Sequence, residues 1–272
     1  MNKPLTNYWS VCISTLIVLL LSTNFGIAAP ESLYAKSMVA FEKNAAAVQT
    51  DDWRFVFLGD NRANDRIFKE ALRLAASFNP LFILHGGDLA ENGTADEYAH
   101  FLKVLKEIPD LPPIFIVRGN HERHDGLYED IIGPLDFTID SKRLGFRLVA
   151  VDNAHYALER KELDYLSRML DQNRPVQVVS MHIPPKTDRW KAHSFDTGKG
   201  ELLSLMTGRK VKLGLFAHIH MYDMAEVNGI PSIISGGTGA DLTTYGAPGE
   251  PVFHIVVVEV KKGKVSCKVV RF

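Results

Sequence analysis

Thiols are almost missing from this chain of 272 residues, which has two cysteines. Cys12 lies in an apolar N-terminal stretch, so Cys267 is the only thiol in the rest of the chain. That excludes an intrachain disulfide there and a thiolate zinc knot. No charge of one sign dominates either: 31 Lys and Arg stand against 32 Asp and Glu. With no basic block, nothing marks a nucleic-acid-binding surface. Internal repeats and low-complexity segments are missing, which excludes solenoids and repeat arrays. Long apolar runs are missing too. Val11–Leu21 spans 11 residues, short of the ~20 that a membrane-spanning helix needs.

What that short run does resemble is an export signal. Lys3 precedes it, and Ser22-Thr23-Asn24 and the small residues Gly26-Ile27-Ala28-Ala29 follow. A basic start, an apolar core and a small-residue cleavage point describe a secretory signal peptide over residues 1–29. The expectation is an exported chain, periplasmic or secreted; an uncleaved N-terminal tether is the alternative. Residues 30–52 follow as a helical extension, with Tyr34, Met38, Phe41, Ala45 and Val48 at helical spacing. The remainder, 53–272, with 46% hydrophobic residues over the whole chain, suffices for one sizeable core.

Chemistry concentrates in five polar clusters, each after an apolar, strand-like run. They are Gly59-Asp60-Asn61-Arg62, Gly87-Asp88, Gly119-Asn120-His121-Glu122, His182 and His218-Ile219-His220. The preceding runs are Phe55–Leu58, Leu81–Leu84, Ile114–Val117, Val176–Met181 and Val211–Ala217. In an open α/β sheet the C-terminal strand ends face one crevice. Carboxylates, an amide and imidazoles gathered there suit a divalent transition metal, and the lack of thiols favours a catalytic site over a structural one.

Spacing supports the same layout. Asp60, Asp88 and Asn120 lie 28 and 32 residues apart, close to the ~30 of one βαβ unit. The intervening stretches read as helices: one capped by Asn64, one opened by a Thr94–Glu97 capping box, and a third over Lys161–Gln172. Beyond residue 220 the runs Met221–Val227, Ile230–Ile234, Phe253–Val260 and Lys264–Val270 read as strands. Those four are expected to form a second, mainly antiparallel sheet. Asn92-Gly93-Thr94 formally matches a glycosylation sequon but reads as loop and helix cap.

The order Asp, Gly-Asp, Gly-Asn-His-Glu, His, His-x-His resembles the calcineurin-like metallophosphoesterases, from about Trp53 to Phe272. Each cluster alone is weak; five in this order are specific. The resemblance implies a four-layer αββα sandwich of two mixed sheets, with the site at the C-terminal strand ends. It implies two divalent metal ions (Mn, Fe or Zn) and attack on a small phosphate ester by a metal-bridging hydroxide. Asp88 would bridge the metals. Asn120, His182 and His218 would complete one shell, and Asp60 and His220 belong to the other. His121 would protonate the leaving oxygen, with Glu122 an orienting group. No stable protein partner is implied.

One position departs from that pattern. The first cluster of the family reads Asp-x-His, and here the second ligand is Arg62. A guanidinium stays protonated and has no lone pair for a metal, so Arg62 is expected to turn from the metal toward substrate phosphate. The purple acid phosphatases, which also lack the His, use a Tyr three residues after the bridging Asp; Glu91 stands there instead. Glu91 reads as a surface carboxylate, and the first metal site is expected to be weak. A non-catalytic or single-metal binding protein on the same scaffold is the alternative function. The loop Pro184–Gly200, carrying Lys186, Trp190 and His193, is the expected specificity element. Tyr222 and Asp223 are candidates for the pocket wall, as is His124. His85 and His254 read as buried structural groups, and His100 and His155 as surface.

Overall fold

The computed structural model describes residues 31–62, 64–122, 126–171 and 173–272. The expected signal segment and His124 therefore lie outside the described residues. The chain from Glu31 onward forms one compact unit. No helix among the described residues is long and apolar enough to cross a membrane.

In chain order the elements are α1 (Leu33–Ala47), β1 (Asp52–Leu58), α2 (Asp65–Ser77), β2 (Ile83–His85), α3 (Ala95–Lys106) and β3 (Ile114–Ile116). Next come α4 (Leu127–Ile131), β4 (Phe137–Ser141), β5 (Phe146–Ala150), α5 (Arg160–Met169) and β6 (Val176–Ser180). The last are α6 (Lys199–Gly208), β7 (Leu213–Phe216), β8 (Tyr222–Val227), β9 (Ile230–Ser235), β10 (His254–Lys261) and β11 (Lys264–Arg271). They build two mixed sheets, ordered β11-β10-β1-β2-β3 and β4-β5-β6-β7-β9-β8.

Period-2 alternation places the layers. In β1, Phe55 and Phe57 enter the core between the sheets, while Val56 and Leu58 face the opposite way, onto α2 and α3. In β6, Val176 and Val178 point to the same central core, and Val179 packs outward with Leu163 and Leu166 of α5. Both faces of each sheet are thus covered, which is why these strands read as continuous apolar runs. The result is the expected four-layer αββα sandwich. α1 closes one edge of the central core: Phe41 sits edge-on to Phe82 and Phe115, and Ser37 donates to the Ile114 carbonyl at 2.7 Å. The Thr94–Glu97 capping box opens α3 as expected.

The C-terminal strands correct the sequence reading. β8 and β9 join the second sheet, but β10 returns to the first and pairs antiparallel with β1, with β11 outside it. They do not form a sheet of their own. The hairpin β4–β5, which heads the second sheet, had no counterpart in that reading.

Two buried histidines outside the ligand cluster set a pH dependence. His85 faces the Asn61 side-chain oxygen at 2.9 Å and accepts from the Gly87 N–H at 3.1 Å. His254 donates to the Val252 carbonyl at 2.8 Å. Burial lowers them to about 3 and about 4 respectively. Both therefore hold a proton less readily folded than unfolded, where the value is ~6.5. Acidification from pH 6.5 toward 5 should cost about 1.4 kcal/mol of stability per pH unit for each group. Urea denaturation at pH 7 and 5 checks this, and His254→Gln should flatten the slope by one proton.

Candidate metal centre

Each strand end delivers its side chain through a tight turn. Asp60, Asp88 and Asn120 follow β1, β2 and β3, which are consecutive parallel neighbours as the spacing suggested. His182 follows β6, and His218 and His220 follow β7, so the second sheet supplies the imidazoles. Asp60, Asp88 and His218 hold left-handed backbone angles (φ 60°, 55° and 67°). Such strain in non-glycine residues persists where the surroundings over-determine it. Gly119 is needed for closeness: a Cβ there would stand 2.2 Å from Asp88 Oδ1. Gly236, in the glycine-rich turn after β9, likewise lies against Asp60 Oδ2.

The geometry gathers the ligand atoms in two overlapping groups. Those of Asp88, His182 and His218 lie within 4.8 Å of one another, as do those of Asp60, Asp88 and His220. Asn120 Oδ1 is 3.1 Å from His182 Nε2 and so joins the first group. The seam between the sheets brings all six predicted ligands together.

The histidines are oriented as metal ligands are. A carbonyl only accepts, so His182 Nδ1 must donate to Gly86 O (2.8 Å) and His220 Nδ1 to Asp241 O (2.8 Å). Their Nε2 atoms are left facing the carboxylates, with His182 Nε2 at 3.3 Å from Asp88 Oδ1 and His220 Nε2 at 3.8 Å from Asp60 Oδ1. His218 is turned the other way: Nε2 meets the Tyr156 hydroxyl at 2.8 Å and Nδ1 faces His182 Nε2 at 3.1 Å. An outer partner that fixes the tautomer and aims the opposite lone pair inward is the usual support for a metal-binding histidine. Asp60 Oδ1 is buried and accepts no hydrogen bond, an expensive state that a cation would relieve.

The electrostatics ask for positive charge. Burial, with Asp88 adding to it, raises Asp60 well above the usual carboxylate range. Burial alone would lower His182, but the Asp88 carboxylate outweighs it and pushes His182 up to about 9. Burial would raise Asp88, yet His182 beside it holds the carboxylate well below its ordinary value. Burial keeps His218 and His220 neutral. Divalent cations among these atoms would supply the charge that His182 otherwise takes up as a proton.

Arg62 and Glu91 stand at the rim and hold each other. The guanidinium Nε donates to Glu91 Oε2 at 2.9 Å and Nη2 pairs with Oε1, closing a fork. Glu91 is therefore the arginine's partner rather than a bystander on the surface. The residue standing where a histidine ligand is expected and the one standing where a tyrosine is expected have become an ion pair. His121 lies beside them: its backbone N–H donates to Asp88 Oδ1 at 3.1 Å, and its Nδ1 donates to Glu91 O at 2.7 Å. That leaves Nε2 facing the cluster, 3.9 Å from Asp88 Oδ2.

Three supports went unread or half-read in the sequence. Glu122, fully buried, accepts from the backbone N–H groups of Asp88 (2.9 Å), Gly119 (2.8 Å) and Ala90 (3.1 Å), tying two ligand turns together. Burial, then Asp88, push it up to about 8. Arg118, just before Gly119, pairs with buried Asp152 after β5 and so clamps the Asn120 turn to the second sheet. Tyr156, which holds His218, carried no motif to give it away. Of the weaker candidates, His193 in the Pro184–Gly200 loop reaches the cluster, with its ring 5.6 Å from His218. Asp223 instead accepts from Arg189 and the Trp190 indole, anchoring that loop, and Tyr222 packs on His254. His100 pairs with Asp65 at the surface.

The sequence profile described as "Calcineurin-like phosphoesterase" matches residues 54–222. No curated protein matches the chain in sequence. Among solved structures, a purple acid phosphatase from yellow lupin (Lupinus luteus) seeds superposes at TM-score 0.64 and 16% identity over 82% of this chain. This chain spans about half of that enzyme, 52% of its length. A dimetal phosphatase from Danio rerio superposes at 0.57 and 13% identity, over 81% of this chain and 99% of the other. The Plasmodium protein GAP50, described as the anchor in the inner membrane complex, does so at 0.59 and 14% identity, over 81% and 84%. At these identities the likeness is one of fold.

Proposed function

The chain belongs to the calcineurin-like phosphoesterase family, and on that premise we propose that it hydrolyses a phosphate ester with two divalent cations, acting outside the cytoplasm. The observation that carries this reading is Asp88, the one side chain shared by both ligand groups. Two cations ~3.5–4 Å apart need a common carboxylate, and when bound they supply a hydroxide nucleophile and neutralise the phosphoryl oxygens. Asp88, Asn120, His182 and His218 would hold one cation and Asp60, Asp88 and His220 the other. The P–O bond to the leaving group breaks as the oxygen of water joins phosphorus, giving an alcohol and a phosphate. His121, its ring fixed by Glu91 O, would deliver the proton to the departing oxygen from Nε2. The export signal read over residues 1–29 supports the location.

A panel of chromogenic monoesters and diesters with added Mn²⁺, together with metal analysis by mass spectrometry, tests this reading. Near two metals per chain and turnover of at least one ester support it. One metal or none, without turnover, would instead support a binding protein on the same scaffold. The Arg62–Glu91 pair is the observation that keeps that second reading in play.

Arg62 would act on the substrate phosphate through its Nη1 side, the edge turned from Glu91. Arg62→His would restore an imidazole to the site of Asp60, Asp88 and His220, remove a cation from its edge and release Glu91. The expected result is tighter binding of the second equivalent of Mn²⁺ by titration calorimetry. KM should rise by about ten- to a hundredfold with the ~1.5–3 kcal/mol of a charge-assisted hydrogen bond lost. Metal affinity unchanged in Arg62→His would show that position 62 does not face the site.

A further inference from the structure

Backbone strain marks more of this molecule than the ligand turns. Among the described residues twelve non-glycine positions have left-handed φ, and seven of them are Asp60, Arg62, Asp88, Tyr156, His193, His218 and Tyr245. The other five are Asn79, Asp110, Lys210, Asn228 and Lys262, all exposed and away from the ligand turns. For the two bulky tyrosines this conformation is an outlier, and strain of this kind gathers where function holds it. Tyr156, His193 and Tyr245 come from three separate loops, after β5, β6 and β9.

Those three rings meet at one edge of the ligand cluster. Tyr156 stands edge-on to His218 with centroids 5.2 Å apart. His193 lies 5.6 Å from His218 and stacks on Tyr245 at 3.6 Å and 18°. Tyr245 reaches 6.3 Å from His220. The wall therefore runs from a ligand of one group to a ligand of the other. Tyr156 and Tyr245 are each 41% exposed, two of five large apolar side chains left open among the described residues. The cluster also borders the polar groups His121, Arg62 and Glu91.

We propose that this aromatic wall selects phosphate esters whose ester group is a planar aromatic, docked on the Tyr245–His193 stack beside the half-exposed Tyr156 ring. This deepens the phosphoesterase reading and rests on it for the position of the phosphoryl group. Exposed rings beside the buried ligands His218 and His220 give the site a stacking surface next to its metal-binding groups. A flat π-face gains from offset or edge contact with such rings, where a saturated ring of equal bulk gains only burial. The preference expected from one or two ring contacts is about two- to tenfold in affinity.

The test uses two non-hydrolysable probes, 2-naphthylmethylphosphonate and its fully saturated decalinylmethyl counterpart, bound to the full Mn²⁺-loaded chain and followed by calorimetry. The naphthyl compound should bind two- to tenfold more tightly. Tyr245→Leu should bring the ratio toward one, and Tyr245→Phe should restore it. Equal binding of the two probes, binding of neither, or a ratio untouched in Tyr245→Leu would overturn the proposal. Turnover is scored separately with the corresponding phosphate esters. An aromatic preference in binding without turnover of any ester would sink the hydrolase reading and leave the stacking wall standing.

Discussion

Asp88→Asn is expected to abolish phosphoester hydrolysis, by about 10³-fold or more, and to drop bound metal below two per chain. The substitution is nearly isosteric, and asparagine tolerates the left-handed φ of 55° at this position. What changes is charge and donor sense. The carboxylate common to both ligand groups loses its negative charge, and an NH₂ group enters the place of an oxygen. If that NH₂ took the place of Oδ1, it would stand 3.3 Å from His182 Nε2 and meet the backbone N–H of His121. A second cation then loses the ligand that offsets repulsion from the first. Metal content by mass spectrometry and steady-state rates read the outcome together. A variant that keeps both metals and a near-normal rate would remove Asp88 from the bridging role.

His121→Ala separates proton delivery from metal binding. His121 is in neither ligand group, but its Nε2 faces the cluster and its Nδ1 is held by the Glu91 carbonyl. The expected loss in kcat is roughly 10²–10⁴-fold, with metal content unchanged. Esters whose leaving alcohol is acidic need least help from an acid, so their rates should fall least. A series of aryl and alkyl esters spanning leaving-group pKa gives the slope directly. A uniform loss across that series would assign His121 to phosphate binding rather than to proton transfer.

Much of this site was legible because parallel strands impose their own spacing. Asp60, Asp88 and Asn120 each follow a short apolar run, and each sits at the period of one strand, helix and return. The histidines were legible by the same token, at the ends of β6 and β7. The partner of a strand is another matter. The run Phe253–Val260 is equally apolar whichever sheet it joins, since both sheets are covered on both faces. Nothing local says that Val256 will lie beside Phe57. β4 shows the opposite difficulty: Phe137 and Ile139 alternate with Thr138 and Asp140, but over five residues that pattern is too short to stand out. The Arg62–Glu91 pair was hidden for a third reason. Each residue alone looks like a misfit, and only the approach of the turns after β1 and β2 makes them complementary. Tyr156 touches His218 across 62 positions through a loop with no recurring pattern.

The return of β10 to the first sheet has a consequence in time. β1, which carries Asp60 at its end, is flanked by β2 on one side and by β10 on the other. β2 leaves the ribosome shortly after β1, while β10 and β11 come after all the other strands. Until then β1 is an open edge, and its pairing with β10 is the longest-range one between the named strands. The first three ligands can approach one another early, but the sheet beneath them is finished only once β10 and β11 have emerged. The stretch that the family profile covers, 54–222, leaves out β10 and β11. A chain cut at its boundary would carry every ligand residue, but its first sheet would keep only β1, β2 and β3, with β1 left as an edge.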